Sequence, residues 1–98
     1  MPNHYQAEAR ERQRLWHEYS DQMEMIGAEL RRLRIEKGLS LEAVARAMKM
    51  SKYRLCKIEH GLYASFDLNQ LYPLSALYGV SPLEVLSIIP DSMFDKIL

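Results

Sequence analysis

Residues 38–61 read GLSLEAVARAMKMSKYRLCKIEHG, and this segment decides the fold. A glycine at each end is suited to stopping a helix, and Ser40 and Ser51 are side chains that cap helix N-termini well. The segment predicts one helix over residues 41–48 and another over residues 52–60. Their inward-facing apolar positions are Leu41, Val44, Ala45, Met48, Leu55 and Ile58. Because only two residues connect these helices, we expect them to cross at a steep angle.

Upstream of this segment, residues 5–37 contain no proline and a single glycine, and most are strong helix formers. They predict either one helix or two, with the break at Ser20-Asp21, where Asp21 and Glu24 form a capping-box-like start. A heptad seam runs along the stretch through Trp16, Tyr19, Met23, Ile26, Leu30 and Leu33. A single helix would be about 51 Å long at ~1.5 Å per residue. Since one small core cannot cover that length, we expect the N-terminal part to fold back or to meet another subunit.

Downstream, Asp67 is a plausible N-cap for a helix that carries Leu68, Leu71, Leu74 and Leu77. Pro73 lies inside this helix and predicts a kink or a late start. Gly79 ends it, and Ser81-Pro82 opens a further helix over residues 83–88. After Pro90 we expect a last turn, capped by Asp91 or Ser92, with apolar Met93, Phe94, Ile97 and Leu98. The pattern divides the chain into a helical extension (1–23), a main domain (24–89) and an apolar tail (90–98).

Charge is segregated along a chain whose formal net charge is zero. Residues 1–30 carry three basic and six acidic side chains, and residues 61–98 carry one basic and four acidic, so each end has a net charge of −3. Residues 31–60 carry nine basic and three acidic side chains, a net charge of +6. A basic stretch is more often only a solvated face, so charge by itself does not identify a polyanionic partner.

Composition excludes several other classes of protein. With 98 residues, 48% of them hydrophobic, the chain is expected to fold as one globular domain. Its single cysteine, Cys56, cannot close an intrachain disulfide, which fits a reducing cytoplasm. His4, His17 and His60 show no metal-ligand spacing, and no nucleophile or paired carboxylates stand out, so we expect no metal, no cofactor and no enzyme activity. We also expect no membrane partner, because no apolar segment is long enough to span a bilayer and no signal peptide is present.

Three blocks of sequence together resemble a known family. They are Ile26-Gly27-x-x-Leu30-Arg31-x-Leu33-Arg34-x-x-x-Gly38-Leu39-Ser40-Leu41-x-x-Val44-Ala45, then Met50-Ser51-x-x-x-Leu55-x-Lys57-Ile58-Glu59-x-Gly61, then Leu71-x-x-Leu74 with Gly79-Val80-Ser81. In this order they resemble the Cro/C1-type (XRE-like) helix-turn-helix family over roughly 60 of the 98 residues. The resemblance implies an all-α, five-helix, lambda-repressor-like domain that binds double-stranded DNA. Its second helix would cross the DNA backbone and its third would enter the major groove.

The sequence departs from the family pattern at three positions. Leu41 stands where the family often has a glutamine that touches DNA, although leucine is also common there. Lys49 replaces the glycine of the turn, so it must adopt a left-handed conformation, costing roughly 1 kcal/mol, or reshape the turn. Phe66 replaces the usual proline before the fourth helix, and the preceding loop lacks the family's basic residues. The contacts of that loop with DNA are therefore the least supported part of the resemblance.

By position in the resemblance, Lys52, Tyr53 and Lys57 are the residues expected to contact base edges. Either lysine can donate to guanine O6 or N7, while the tyrosine ring suits a thymine methyl group or a phosphate. The residues expected to contact phosphates are Ser40, Ser51, Arg54 and His60. The alternative interpretation is that Lys52, Tyr53 and Lys57 form only the exposed face of a surface helix.

Two features of the third helix have structural interpretations. By resemblance, Arg34 and Glu59 form a partly buried ion pair that sets the angle of this helix. Cys56 lies beside Arg54, Lys57 and His60, a setting that favours a redox-sensitive thiol. We interpret it instead as a small residue tolerated where the family often has serine.

These expectations give one leading function and two alternatives. The leading hypothesis is a sequence-specific transcriptional regulator that binds a palindromic operator as a homodimer. We expect a repressor, because the chain has no room for a separate effector domain. The first alternative is an antitoxin-like or adaptor module, gripping a protein partner through the seam over residues 16–23 or through residues 93–98. An enzyme is the weakest hypothesis.

Overall fold

A computed structural model describes residues 4–62 and 66–90, apart from the side chains of residues 4–7 and 13–18. This part of the chain forms five helices and no strand: α1 His4–Glu36, α2 Leu41–Ala47, α3 Lys52–Glu59, α4 Leu68–Leu77 and α5 Pro82–Leu86. The predicted all-α class is confirmed. The predictions about the Trp16 side chain, the loop residues 63–65 and the last turn within residues 91–98 lie outside the described residues.

Side-chain oxygens cap the N-termini of the four later helices, as the sequence predicts. Ser40, Ser51 and Ser81 each accept a hydrogen bond from the backbone N–H three residues ahead, at 3.0, 3.0 and 3.2 Å. Asp67 caps α4 in a full capping box, in which the Gln70 side chain accepts from the Asp67 backbone N–H at 2.9 Å. These bonds satisfy donors that the first turn of a helix leaves unpaired, so they fix where each helix begins.

A left-handed residue follows the end of α2, where Lys49 has φ 54°. The Met50 N–H donates to the Ala45 carbonyl at 3.0 Å and the Lys49 N–H donates to the Arg46 carbonyl at 3.1 Å, which together form a Schellman motif. The same pattern closes α3, where the left-handed residue is Gly61 with φ 70°. Of the two outcomes predicted for Lys49, the chain therefore keeps the turn and adopts the left-handed conformation.

Helix α1 is a single uninterrupted helix of 33 residues. The break predicted as an alternative at Ser20-Asp21 does not occur, and the helical backbone continues through both residues. Residues 8–12 are exposed, and burial against the core begins at Gln22 and Met23. The longest dimension of the molecule is 56 Å, close to the ~50 Å length of such a helix. The N-terminal turns of α1 therefore extend away from the core and do not fold back on it.

The core lies between the C-terminal half of α1 and the four short helices. Its buried apolar side chains are Met23, Ile26, Leu30, Leu33, Val44, Ala45, Leu55, Ile58, Phe66, Leu71, Leu74, Tyr78, Val85 and Ile89. Two glycines bring α1 and the end of α3 into backbone contact: a Cβ at Gly27 would lie 2.7 Å from the Glu59 carbonyl oxygen, and one at Gly61 would lie 2.6 Å from Glu24 Cα. Close packing at these points fixes α3 against α1.

The two C-terminal helices differ slightly from the prediction. Helix α4 begins at Leu68 and contains Pro73, so the predicted late start does not occur. Helix α5 begins at Pro82 and ends at Leu86, two residues short of the predicted end, and the Ser87 hydroxyl donates to the Glu84 carbonyl at 2.7 Å. Pro90 follows shortly afterwards, and a proline disfavours helical backbone at the residue before it. Within the described ranges, no helix is long and apolar enough to cross a membrane.

Candidate nucleic-acid interface

Helix α3 is held on two sides, by α1 and by α2. Leu55 and Ile58 on its inner face are each only 1% exposed, and Val44 and Ala45 of α2 are buried in the same core. The outer face of α3 is therefore a fixed surface, since rotating the helix would expose this apolar cluster.

Tyr53 and Lys57 form a pair on the outer face of α3. They are four residues apart, so they lie on the same side of the helix. The Lys57 Nζ lies over the Tyr53 ring, 4.7 Å from its centroid, and the tyrosine side chain is 70% exposed. This cation–π contact presents an aromatic ring and an ammonium group together at the surface.

Lys52 lies beside this pair in the first turn of α3, and its ammonium contacts α2. The Lys52 Nζ is 2.7 Å from Glu42 Oε1, and both side chains are more than half exposed. The hydrogen bond raises the pKa of Lys52 and lowers the pKa of Glu42. Glu42 was not identified from the sequence, because its approach to Lys52 depends on the angle between the two helices.

Ser40 and Ser51 occupy exposed positions at the N-termini of α2 and α3. Each Oγ accepts a hydrogen bond from the first turn of its own helix. A hydroxyl group that accepts in this way retains its hydrogen as a donor. Both serines can therefore cap a helix and donate to a phosphate at once.

Arg54 and His60 lie near opposite ends of α3, about 9 Å apart along the axis at ~1.5 Å per residue. Arg54 is half-buried, and His60 is exposed as the C-cap residue. The His60 Nδ1 lies 2.8 Å from the Cys56 carbonyl oxygen, which leaves Nε2 as the nitrogen directed away from that bond. A neutral imidazole has only one N–H group. If Nδ1 uses it to bind the carbonyl, Nε2 can donate to a phosphate only when the ring carries a second proton.

Cys56 is half-buried, and its Sγ lies 3.7 Å from His60 Nδ1. No cluster of histidine, cysteine, aspartate and glutamate suited to a metal ion occurs among the residues that the structure describes.

Arg34 and Glu59 form a bidentate ion pair between α1 and α3. Arg34 Nε donates to Glu59 Oε2 at 2.7 Å and Nη2 donates to Oε1 at 3.1 Å. Arg34 Nη1 also donates to the Leu39 carbonyl at 3.0 Å, so the guanidinium connects both helices to the loop after α1. The side chains are only 10% and 2% exposed, and the hydrogen bond to Glu59 raises the pKa of Arg34.

Tyr78 is buried near this ion pair. Its side chain is fully buried, and its hydroxyl has no hydrogen-bond partner in the described part of the chain. Burial, reinforced by the nearby Glu59 carboxylate, raises the pKa of Tyr78 to about 12. The sequence signal for its burial was its spacing from Leu71 and Leu74, which places all three on one helix face.

Comparison with known proteins identifies the family. A family model described as a helix-turn-helix domain matches residues 26–87, more than half of the chain. No curated protein and no solved structure matches the chain. The matched range contains all of α2, α3, α4 and α5 and confirms the family resemblance drawn from the sequence. A helix-turn-helix of the DNA-binding kind places its second helix in the major groove, and α3 is the second helix of the unit formed by α2 and α3. The chain therefore belongs to the helix-turn-helix domain family and carries its DNA-binding fold.

Proposed function

We propose that the protein is a cytoplasmic, sequence-specific transcriptional regulator, a repressor that binds a palindromic operator as a homodimer. The observation that carries this proposal is the outer face of α3, where Lys52, Tyr53 and Lys57 are presented together. The inner face of α3 is fixed by the core and by the Arg34–Glu59 ion pair. A rigid helix with long polar side chains on its free face suits direct contact with base edges.

Each side chain of this surface has a proposed role. The ammonium groups of Lys52 and Lys57 donate to guanine O6 or N7, and the Tyr53 ring contacts a thymine methyl group or a phosphate. The phosphate-contacting residues are Ser40, Ser51, Arg54 and His60.

Dimerisation follows from the geometry of palindromic operators. Two copies of α3 would occupy half-sites about 34 Å apart, one turn of the duplex. Repression then requires only that the dimer occupy its operator. We assign self-association to the extension, residues 1–23, because the first turns of α1 extend beyond the core and residues 8–12 are exposed. Residues 24–89 form the DNA-binding domain, and residues 90–98 form the apolar tail.

Selection of bound duplexes from a random library tests the proposal. We expect recovery of a palindromic sequence that binds much more tightly than a scrambled duplex, with affinity falling steeply as salt rises. Lys52→Ala combined with Lys57→Ala should abolish this preference without changing helicity in circular dichroism. Lys37→Ala, which removes an exposed lysine at the end of α1, is the matched control. Equal affinity for selected and scrambled duplexes would overturn the proposal.

The projecting part of α1 also favours a second candidate, an antitoxin-like or adaptor module that binds another protein. Tyr19, 36% exposed, lies on the same side of α1 as buried Met23. Tyr19→Arg in the full chain distinguishes the two functions. Conversion of a dimer to a monomer supports self-association, whereas loss of a stoichiometric partner protein from an unchanged oligomer supports the adaptor.

A further inference from the structure

Glu42 is an acidic residue on the surface that we propose faces DNA. It belongs to the first turn of α2, and its carboxylate is 2.7 Å from the ammonium of Lys52 in the first turn of α3. Both side chains are exposed, at 54% and 61% respectively, so the pair is accessible from solvent. A carboxylate there opposes the binding of any phosphate backbone.

The positions of the two charges on their helices explain why they meet. The N-terminus of a helix carries a partial positive charge, which favours a carboxylate such as Glu42 and disfavours an ammonium such as Lys52. Lys52 therefore occupies the electrostatically poorer end of its own helix. The neighbouring carboxylate compensates for this and restrains a side chain whose four-carbon stem is otherwise flexible.

The restraint has different consequences for phosphates and for bases. An ammonium has three N–H donors, and a single bond to Glu42 leaves two of them. Guanine offers two neighbouring acceptors, O6 and N7, in the major groove, so these donors can bind it while the ion pair stays intact. A phosphate that approaches the same donors is repelled by the negative charge of the Glu42 carboxylate, whereas guanine O6 and N7 carry only partial negative charges.

We propose that Glu42 is a specificity-determining residue, which withholds Lys52 from the phosphates of unrelated duplexes and leaves it available to a guanine of the operator. The inference rests on the proposed function, since it assigns a role within the same α3 surface. Its physical basis is repulsion by a carboxylate, which weakens binding to duplexes other than the operator; such repulsion is a common route to specificity. Glu42 acts through Lys52 and is a positioning residue.

The decisive variant is Glu42→Gln, with Glu36→Gln as its matched control. Glu36 is also an exposed carboxylate in an ion pair, 2.7 Å from Arg32, with both side chains 60% exposed, but it lies on α1. Dissociation constants are measured for a duplex selected with the wild-type protein and for a scrambled duplex of the same composition. The measurements span about 50 to about 200 mM salt, where each added phosphate contact steepens the salt dependence by a slope of about 0.9.

Glu42→Gln is expected to bind the scrambled duplex roughly three- to tenfold more tightly, with a steeper salt slope by about 0.9, because it frees one lysine for phosphates. The selected duplex should gain much less, so the ratio of the two affinities falls. Glu36→Gln should leave both the ratio and the slope near their wild-type values. In a Lys52→Ala background, Glu42→Gln should no longer change the slope.

Two results would overturn the inference while leaving the proposed function standing. In the first, the wild-type protein prefers the selected duplex but Glu42→Gln and Glu36→Gln behave alike. In the second, Glu42→Gln keeps its full effect in the Lys52→Ala background, which would make Glu42 a bulk charge acting without Lys52. A wild-type protein that prefers no duplex would instead refute the proposed function itself.

Discussion

Tyr78 brings a polar group into the core beside the Arg34–Glu59 ion pair. Its hydroxyl is buried and lacks a hydrogen-bond partner among the described residues, although Glu59 lies close enough to affect its ionisation. A buried donor without an acceptor loses its hydration and gains nothing in return. The ring fills the core, so the oxygen atom is the destabilising part of this side chain.

We predict that Tyr78→Phe raises the free energy of unfolding by about 1 kcal/mol, because it removes the buried hydroxyl and keeps the ring. Urea denaturation measures the change. Tyr72→Phe is the matched control, since Tyr72 is 59% exposed and should leave stability unchanged. A loss of stability in Tyr78→Phe would show that the hydroxyl has a partner in the folded protein.

The same residue predicts how stability depends on alkaline pH. The pKa of Tyr78 is about 12 in the folded protein, against an ordinary value of 10.0. Between these values the unfolded chain has released the proton that the folded chain keeps, so unfolding becomes easier as pH rises. Stability from this group is complete below pH 10 and falls by roughly 2 kcal/mol toward pH 12. Tyr78→Phe should lack this part of the decline, and identical pH profiles would contradict the prediction.

The Arg34–Glu59 pair predicts an asymmetry between single and double substitutions. Glu59→Ala leaves a buried guanidinium without its carboxylate and should cost about 3 to 5 kcal/mol. Arg34→Met with Glu59→Leu removes both charges and should recover most of that loss, because neither partner remains unpaired. Thermal denaturation followed by circular dichroism measures both. A double variant no more stable than Glu59→Ala would contradict this prediction. It would show that the pair stabilises the fold by more than neutralising its two buried charges.

At the scale of elements, the turn between α2 and α3 contains a residue in an unfavourable conformation. Lys49 has φ 54° at a position where the other helix ends of this kind carry glycine. We predict that Lys49→Gly stabilises the protein by roughly 1 kcal/mol, since glycine adopts this conformation without a Cβ clash. Lys49→Ala loses the same charge but keeps the Cβ, so its stability should stay near the wild-type value. Equal stabilities of the glycine and alanine variants would assign the effect to charge.

Local signals in the sequence predicted the elements well and their mutual contacts poorly. The caps Ser40, Ser51 and Ser81 fixed helix starts, because a cap acts within one turn of its own helix. Glu42 and Lys52 meet because of the angle between α2 and α3, which no local pattern encodes. The proposed base-contacting residues were placed by family resemblance, and only their exposure and pairing came from the structure.

Helix α1 is a longer element for which local sequence signals were also insufficient to predict the structure. Its composition allowed either one helix or two, since both alternatives satisfy local helix propensity equally well. Whether one helix or two forms depends on which residues pack against the heptad seam, and this is determined by tertiary structure. Gly27 is a further example, because its importance comes from the Glu59 backbone that packs against it.

For the whole molecule, we predict that stability depends on protein concentration, because the proposed dimer forms through the projecting turns of α1. Most of the stability of a helix in a protein comes from packing of its apolar face, so a second copy that packs on these turns should stabilise the folded chain. We predict that a tenfold rise in concentration raises the thermal midpoint by about 3 °C, consistent with a dimer of this size. Tyr19→Arg should abolish the dependence. A midpoint that stays constant over a hundredfold range of wild-type concentrations would contradict self-association.

The continuity of α1 also sets a distance. Helix α3 packs directly on the α1 backbone at Gly27, and α1 runs unbroken from there to His4. The distance between these two points and their relative rotation about the helix axis are therefore fixed. In a dimer joined through the first turns of α1, the length of α1 would determine the distance between the two half-sites. One inserted residue would turn the joining surface by about 100°, while a whole added turn would restore its direction and shift it by about 5.4 Å. In the proposed dimer, the number of residues in α1 would therefore set the operator spacing, although α1 has no proposed contact with a base.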